Sequence, residues 1–139
     1  MIGHHLIRHW SKRQSVIVLS SAEAELYGIC KGAAEAMGLI STMGDFGNAG
    51  VIWLGTDSSA AIGVCHRQGL GKLRHLAVQD LWIQQAVMDG KVKLDKVPGV
   101  ENPADVLTKP TTHKAMEWHL STLGVVFEQG RAESAPKLL

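Results

Sequence analysis

The chain has 139 residues, 45% of them hydrophobic, and a formal net charge of +1; that suffices for one globular domain with its own core and argues against a second full domain. A charge so near zero provides no global field of the kind that marks a nucleic-acid binder, so any basic surface must be local. Cys30 and Cys65 form no CxxC pair and fit reduced thiols in an intracellular setting, cytoplasmic or nuclear, while the apolar runs fall short of a membrane span and the first residues lack a secretory layout.

In chain order, "HHLIRHW" (4–10) and the β-branched "SVIVL" (15–19) read as strands joined by the polar link "SKRQ". Ser20 with Glu23 three residues on makes a capping box, and Leu26, Ile29, Cys30, Ala33, Met37 and Ile40 then recur at helical spacing. "VIWLGT" (51–56) is a continuous apolar run of strand length, the pattern of a strand covered on both faces. "DSSAAIGVCHRQ" predicts a short helix opened by Asp57 or the serines and closed near Gly69, followed by the loop "GLGK". Leu76, Val78, Leu81, Trp82, Ala86 and Val87 suit a helix ending at Gly90, and "KVKLDKV" alternates like a half-buried strand. Asn102 is placed to cap a helix with Pro103 at its first position, and "KAMEWHLSTLG" predicts a last helix closed by Gly124. One domain over 1–124 and a mobile tail over 125–139 are expected, with Trp10, Trp53, Trp82 and Trp118 assigned to packing because each has apolar neighbours.

Three acids stand at the edges of these elements: Glu25 early in the long helix, Asp57 directly after the apolar strand, and Asp105 inside the helix begun by Asn102. Each alone reads as a helix-start residue opposing the positive end of a dipole. Periodicity does not choose between Glu23 and Glu25, which fall on opposite borders of the apolar stripe, although the capping box suits Glu23. Were the three to converge at one end of a sheet, their chemistry would suit a hard cation such as Mg²⁺, which takes oxygen ligands and keeps several waters. Two such ions about 4 Å apart serve phosphodiester cleavage.

The stretches "HWSKRQSVIVLSSAEAELYGI", "TDSSAAIGV", "LRHLAVQDLWIQ" and "VKLDKVPGVENPADVLTKP" resemble, in order and spacing, the ribonuclease H domain of copia-type retrotransposon polyproteins, from about Gly3 to Gly124. The resemblance implies an α/β ribonuclease H-like fold, a mixed sheet flanked by helices. It also implies hydrolysis of the RNA strand of RNA–DNA hybrids with Mg²⁺ (or Mn²⁺). It matches the metal-binding, catalytic acids to Glu25, Asp57 and Asp105, with Asp57 bridging two ions and the other two holding one each; this match, not spacing, selects Glu25 over Glu23.

The resemblance places the first strand, with its metal-binding aspartate, upstream of the residues present, so hydrolysis is expected to be impaired. The alternative is a non-catalytic domesticated domain, a hybrid-binding module or a structural subunit of a larger assembly. With that strand absent or replaced, residues 51–56 are expected to have a partner strand on both sides, supplied by 4–10, by another protein chain, or within an assembly. The loop "PGVEN" holds no histidine, and Ala77 stands where the pattern has an aspartate, so His75 is given no catalytic role. Arg67, Lys72, Arg74 and His75 flank the glycine loop as candidate contacts to the phosphates of a hybrid, against the equal reading of a solvated basic loop. His4, His5 and His9 lack the spacing of a metal site.

Overall fold

The computed structural model describes residues 1–3, 5–15, 17–71 and 78–126. Lys72, Arg74, His75, Leu76 and Ala77, and the expected tail from 127 onward, lie outside the described residues. The chain divides into two compact units, one made of Met1–Ser11 and Pro103–Leu139 and the other of Lys12–Asn102.

In the unit Lys12–Asn102, helix α1 (Ser21–Asp45) begins as its sequence dictates. Ser20 Oγ accepts from the Glu23 amide at 3.2 Å. The Glu23 carboxylate reaches back to the Leu19 amide at 2.9 Å, one residue upstream of the usual capping-box target. Strand β1 (Ile52–Thr56) leads into helix α2 (Ser59–Cys65), a 3-10 helix (Val78–Leu81) leads into helix α3 (Trp82–Met88), and strand β2 (Val92–Lys96) follows. The strands are parallel, in register from Ile52 beside Val92 to Thr56 beside Lys96, a pairing that requires a crossover and receives it from the segment holding α2 and α3.

Among the described residues the buried apolar core lies within this unit. Leu26, Ile29, Cys30 and Ala33 of α1 meet Ile52 of β1, Ala61, Val64 and Cys65 of α2, Ile83 and Ala86 of α3, and Val92 of β2. α1 packs on β1, and α3 on β2. Close approach sets two details of this packing: Gly32 lies against Leu54, and a Cβ on Gly55 would stand 2.6 Å from Val97 Cγ2, so only glycine fits there without a shift.

Strand β1 is half-buried rather than covered on both faces. Ile52 and Thr56 are buried, whereas Trp53 is 61% exposed, with the Lys93 ammonium 4.7 Å from its ring. The apolar run misleads because Trp53 supplies apolar content on a face that no described element covers. Trp118 and Trp10 are exposed as well, so of the four tryptophans only Trp82 packs against the core. The Ile52 amide donates to Lys91 O and the Val97 amide to Thr56 O. By strand alternation the main-chain groups of Trp53 and Gly55 point to the opposite edge, where no described strand pairs with β1.

Residues 6–10 do not supply that second partner. An isolated bridge joins Ile2 to His5 around Gly3 (φ +57°), and residues 6–15 and 17–19 lie in no strand. Ile17 and Leu19 are exposed; β-branched content alone does not order a strand that has no neighbour to pair with.

In the other unit, the helix expected after Asn102 is a 3-10 helix (Pro103–Leu107). Pro103 is its first residue, as expected, and Asn102 before it closes the preceding 3-10 turn, Gly99–Glu101. Helix α4 (His113–Thr122) is capped by Thr112 and closed at Gly124 (φ +70°), the glycine its sequence marks.

Candidate functional site

Glu25 is exposed on the second turn of α1, one residue before the fully buried Leu26. The capping work falls to the buried Glu23, so the two glutamates divide as the capping box suggests. Asp57 follows the last residue of β1 and is half-buried. It does not cap α2: Ser58 does, its Oγ accepting from the Ala61 amide at 3.2 Å, while the Ser58 amide donates to Thr56 Oγ1. The Asp57 carboxylate faces Gly99, where a Cβ would lie 3.6 Å from Oδ2.

Asp105 sits in the other unit and is held locally. The Lys109 ammonium reaches its carboxylate at 3.0 Å, and the Thr108 and Lys109 amides both donate to its main-chain carbonyl. The three predicted acids are thus split, with Glu25 and Asp57 in one unit and Asp105 in the other. Carboxylate oxygens are the donors that Mg²⁺ and Mn²⁺ take. Among the described residues, however, no group of three or more His, Cys, Asp or Glu side chains is gathered closely enough to hold a metal ion.

Arg67 begins a loop that is built, not loose. Its Nη2 donates to Leu70 O at 2.7 Å, and its guanidinium lies where a Cβ on Gly71 would come within 2.5–2.8 Å; Gly69 and Gly71 adopt φ of +77° and +57°, which glycine takes without strain. A residue the sequence did not reveal secures this loop. Gln84 of α3 is buried, and its Oε1 accepts from the Gly69 amide at 2.9 Å while Nε2 donates to Val64 O at 2.9 Å and Gly69 O at 3.0 Å. Polarity hid it, since a lone glutamine in a helical pattern reads as solvent-facing. The sole sequence cue is its place beside the core residue Ile83.

Burial sets the titration of the thiols. It pushes Cys30 up to about 12, helped by the nearby Asp80 and Cys65, and pushes Cys65 up to about 11. Both are poor nucleophiles at neutral pH. The Tyr27 hydroxyl is raised as well, by desolvation first and then by the Asp80 carboxylate. None of these groups is activated for covalent chemistry.

A parallel strand pair under a long helix, with one acid on that helix and another at a strand's end, defines a mixed α/β domain whose candidate chemistry is carboxylate-based. The chain is 29% identical over 129 residues to the retrovirus-related Pol polyprotein from transposon RE1 of Arabidopsis thaliana, and 28% identical over 130 residues to that from transposon RE2 of the same plant. These alignments cover 89% and 90% of this chain but 9% of each polyprotein. Such similarity supports a retroelement-derived domain, corresponding to one segment of a Pol region. No family model matches the chain. No solved structure matches it.

Proposed function

We propose that this chain is a ribonuclease H-like domain of a retroelement Pol region that engages RNA–DNA hybrids, with Glu25, Asp57 and Asp105 as the acids serving hydrolysis of the RNA strand and Mg²⁺ or Mn²⁺ as the expected ion. The observation that carries the reading is Asp57. It ends a core-anchored strand, gives up the capping role to Ser58, and makes no hydrogen bond or ion pair with the described residues, an arrangement that suits a ligand better than a structural acid. Arg67, with Lys72, Arg74 and His75 beyond it in sequence, would meet the backbone of the hybrid, because A-form-like duplexes are gripped through phosphates and 2′-hydroxyls. A strand from another protein chain would fit, by main-chain pairing, the edge of β1 that no described strand pairs with.

One observation favours a second reading, a hybrid-binding module that does not cleave: the described residues gather no three acids, and Asp105 is engaged by Lys109. Incubation with an end-labelled RNA–DNA hybrid and Mg²⁺ or Mn²⁺ separates the two. Cleavage abolished by Asp57→Asn supports the nuclease. Binding without cleavage by the unsubstituted chain supports the module, and a chain that neither binds nor cleaves the hybrid eliminates both.

A further inference from the structure

Gln84 is the only side chain that ties α3 to both the end of α2 and the loop after it among the described hydrogen bonds. One amide holds three main-chain groups, the carbonyl of Val64 and both the amide and the carbonyl of Gly69. Gly69 in turn sits two residues after Arg67 and two before Gly71, against which the guanidinium packs. Fixing Gly69 therefore fixes the path of the loop, and the Leu70 carbonyl on that path holds Arg67 Nη2. An apolar residue at this buried position would keep the packing but leave these main-chain groups without their partner. An amide that satisfies both polar groups of one loop glycine instead specifies a single loop conformation.

We propose that Gln84 is a positioning residue for hybrid binding: it sets the 66–71 loop so that Arg67 presents the Nη donors not held by Leu70 to a phosphate of the nucleic-acid backbone. This rests on the reading of the chain as a hybrid-binding domain. Gln84 is uncharged and buried, so it cannot itself contact phosphate or release counterions. Any electrostatic signature of its loss has to pass through the loop.

That signature is measurable. Binding of a fluorescein-labelled RNA–DNA hybrid is followed by anisotropy in EDTA across a salt series, for the unsubstituted chain, Arg67→Ala, Gln84→Leu and the double variant. Arg67→Ala is expected to weaken binding roughly tenfold and to lower the salt slope by about one, as loss of one phosphate contact does. Gln84→Leu is expected to do the same, and the double variant to bind within about twofold of Arg67→Ala, because both changes remove a single contact. Should Gln84→Leu fail to fold, Gln84→Met, which keeps the length of the side chain and adds no charge but lacks the amide, takes its place with the same expected slope. A Gln84 variant that folds and retains the full salt slope, or a double variant whose losses multiply, overturns the proposal while leaving hybrid binding intact. Failure of the unsubstituted chain to bind the hybrid removes the functional reading itself, and this inference with it.

Discussion

The two units hold their acids by opposite means. In the unit Lys12–Asn102, Glu25 and Asp57 stand on elements whose other faces carry the core, so contacts remote in sequence fix their backbones. In the unit Met1–Ser11 with Pro103–Leu139, Asp105 is fixed by bonds to residues three and four positions on, and none of the core residues lies there. Long-range packing is cooperative and costly to break; a local turn is neither. The first unit should therefore behave as a scaffold and the second as a segment whose order is set locally.

Core truncation gives the largest contrast. Leu26→Ala removes a fully buried side chain from the centre of the first unit and is expected to cost about 2–5 kcal/mol in denaturant unfolding, whereas Trp118→Ala on α4, 47% exposed, should cost less than about 1 kcal/mol. Equal losses would dissolve the distinction.

Alkaline pH comes next. The Cys30 and Cys65 thiols titrate near 12 and 11 when folded, against an ordinary 9.0. A raised folded-state value means their contribution is fully present below about pH 9 and is lost as pH rises from there through 11 and 12. Chemical denaturation at pH 7, 9 and 10 should show a loss of just under about 1 kcal/mol between the first two and roughly 2 kcal/mol more at the third. Cys30→Ala should flatten part of that slope, and a stability independent of pH up to 10 would contradict the burial of the pair.

Removal of the Gln84 amide strands one buried and two partly buried main-chain groups, so Gln84→Leu is expected to cost about 1–3 kcal/mol. Amide exchange at Gly69 should accelerate in this variant while that at Leu26 follows only the global change. The smallest effect belongs to the second unit. Lys109→Ala breaks an ion pair whose ammonium is exposed and should cost less than about 1 kcal/mol, weakening at high salt.

The reading from sequence succeeded where local chemistry suffices. The capping box at Ser20 and Glu23, the stripe of α1, the alternation of β2 and the glycine closing α4 follow from rules that span a few residues, and the structure has all of them. It failed where a neighbour decides. "SVIVL" has strand composition, yet its described residues lie in no strand, and "VIWLGT" has the composition of a doubly covered strand yet leaves Trp53 open. Gln84 and Ile83 were passed over for the same reason: neither a buried glutamine nor the phase of a short helix can be read without the elements that enclose it. Glu25 was separated from Glu23 by resemblance, and the structure shows Glu23 accepting from the Leu19 amide.

The amino-acid order by itself determined where α1 starts and α4 closes, which residues line the stripe of α1, and which acids lie at element ends, because capping, glycine conformation and side-chain period act within one or two turns. Only the tertiary structure decided which face of β1 is open, that a single glutamine amide holds the loop behind Arg67, and that Asp105 belongs to a different unit from Glu25 and Asp57. Burial and main-chain satisfaction are properties of groups brought together from distant positions, and no window along the chain contains both partners.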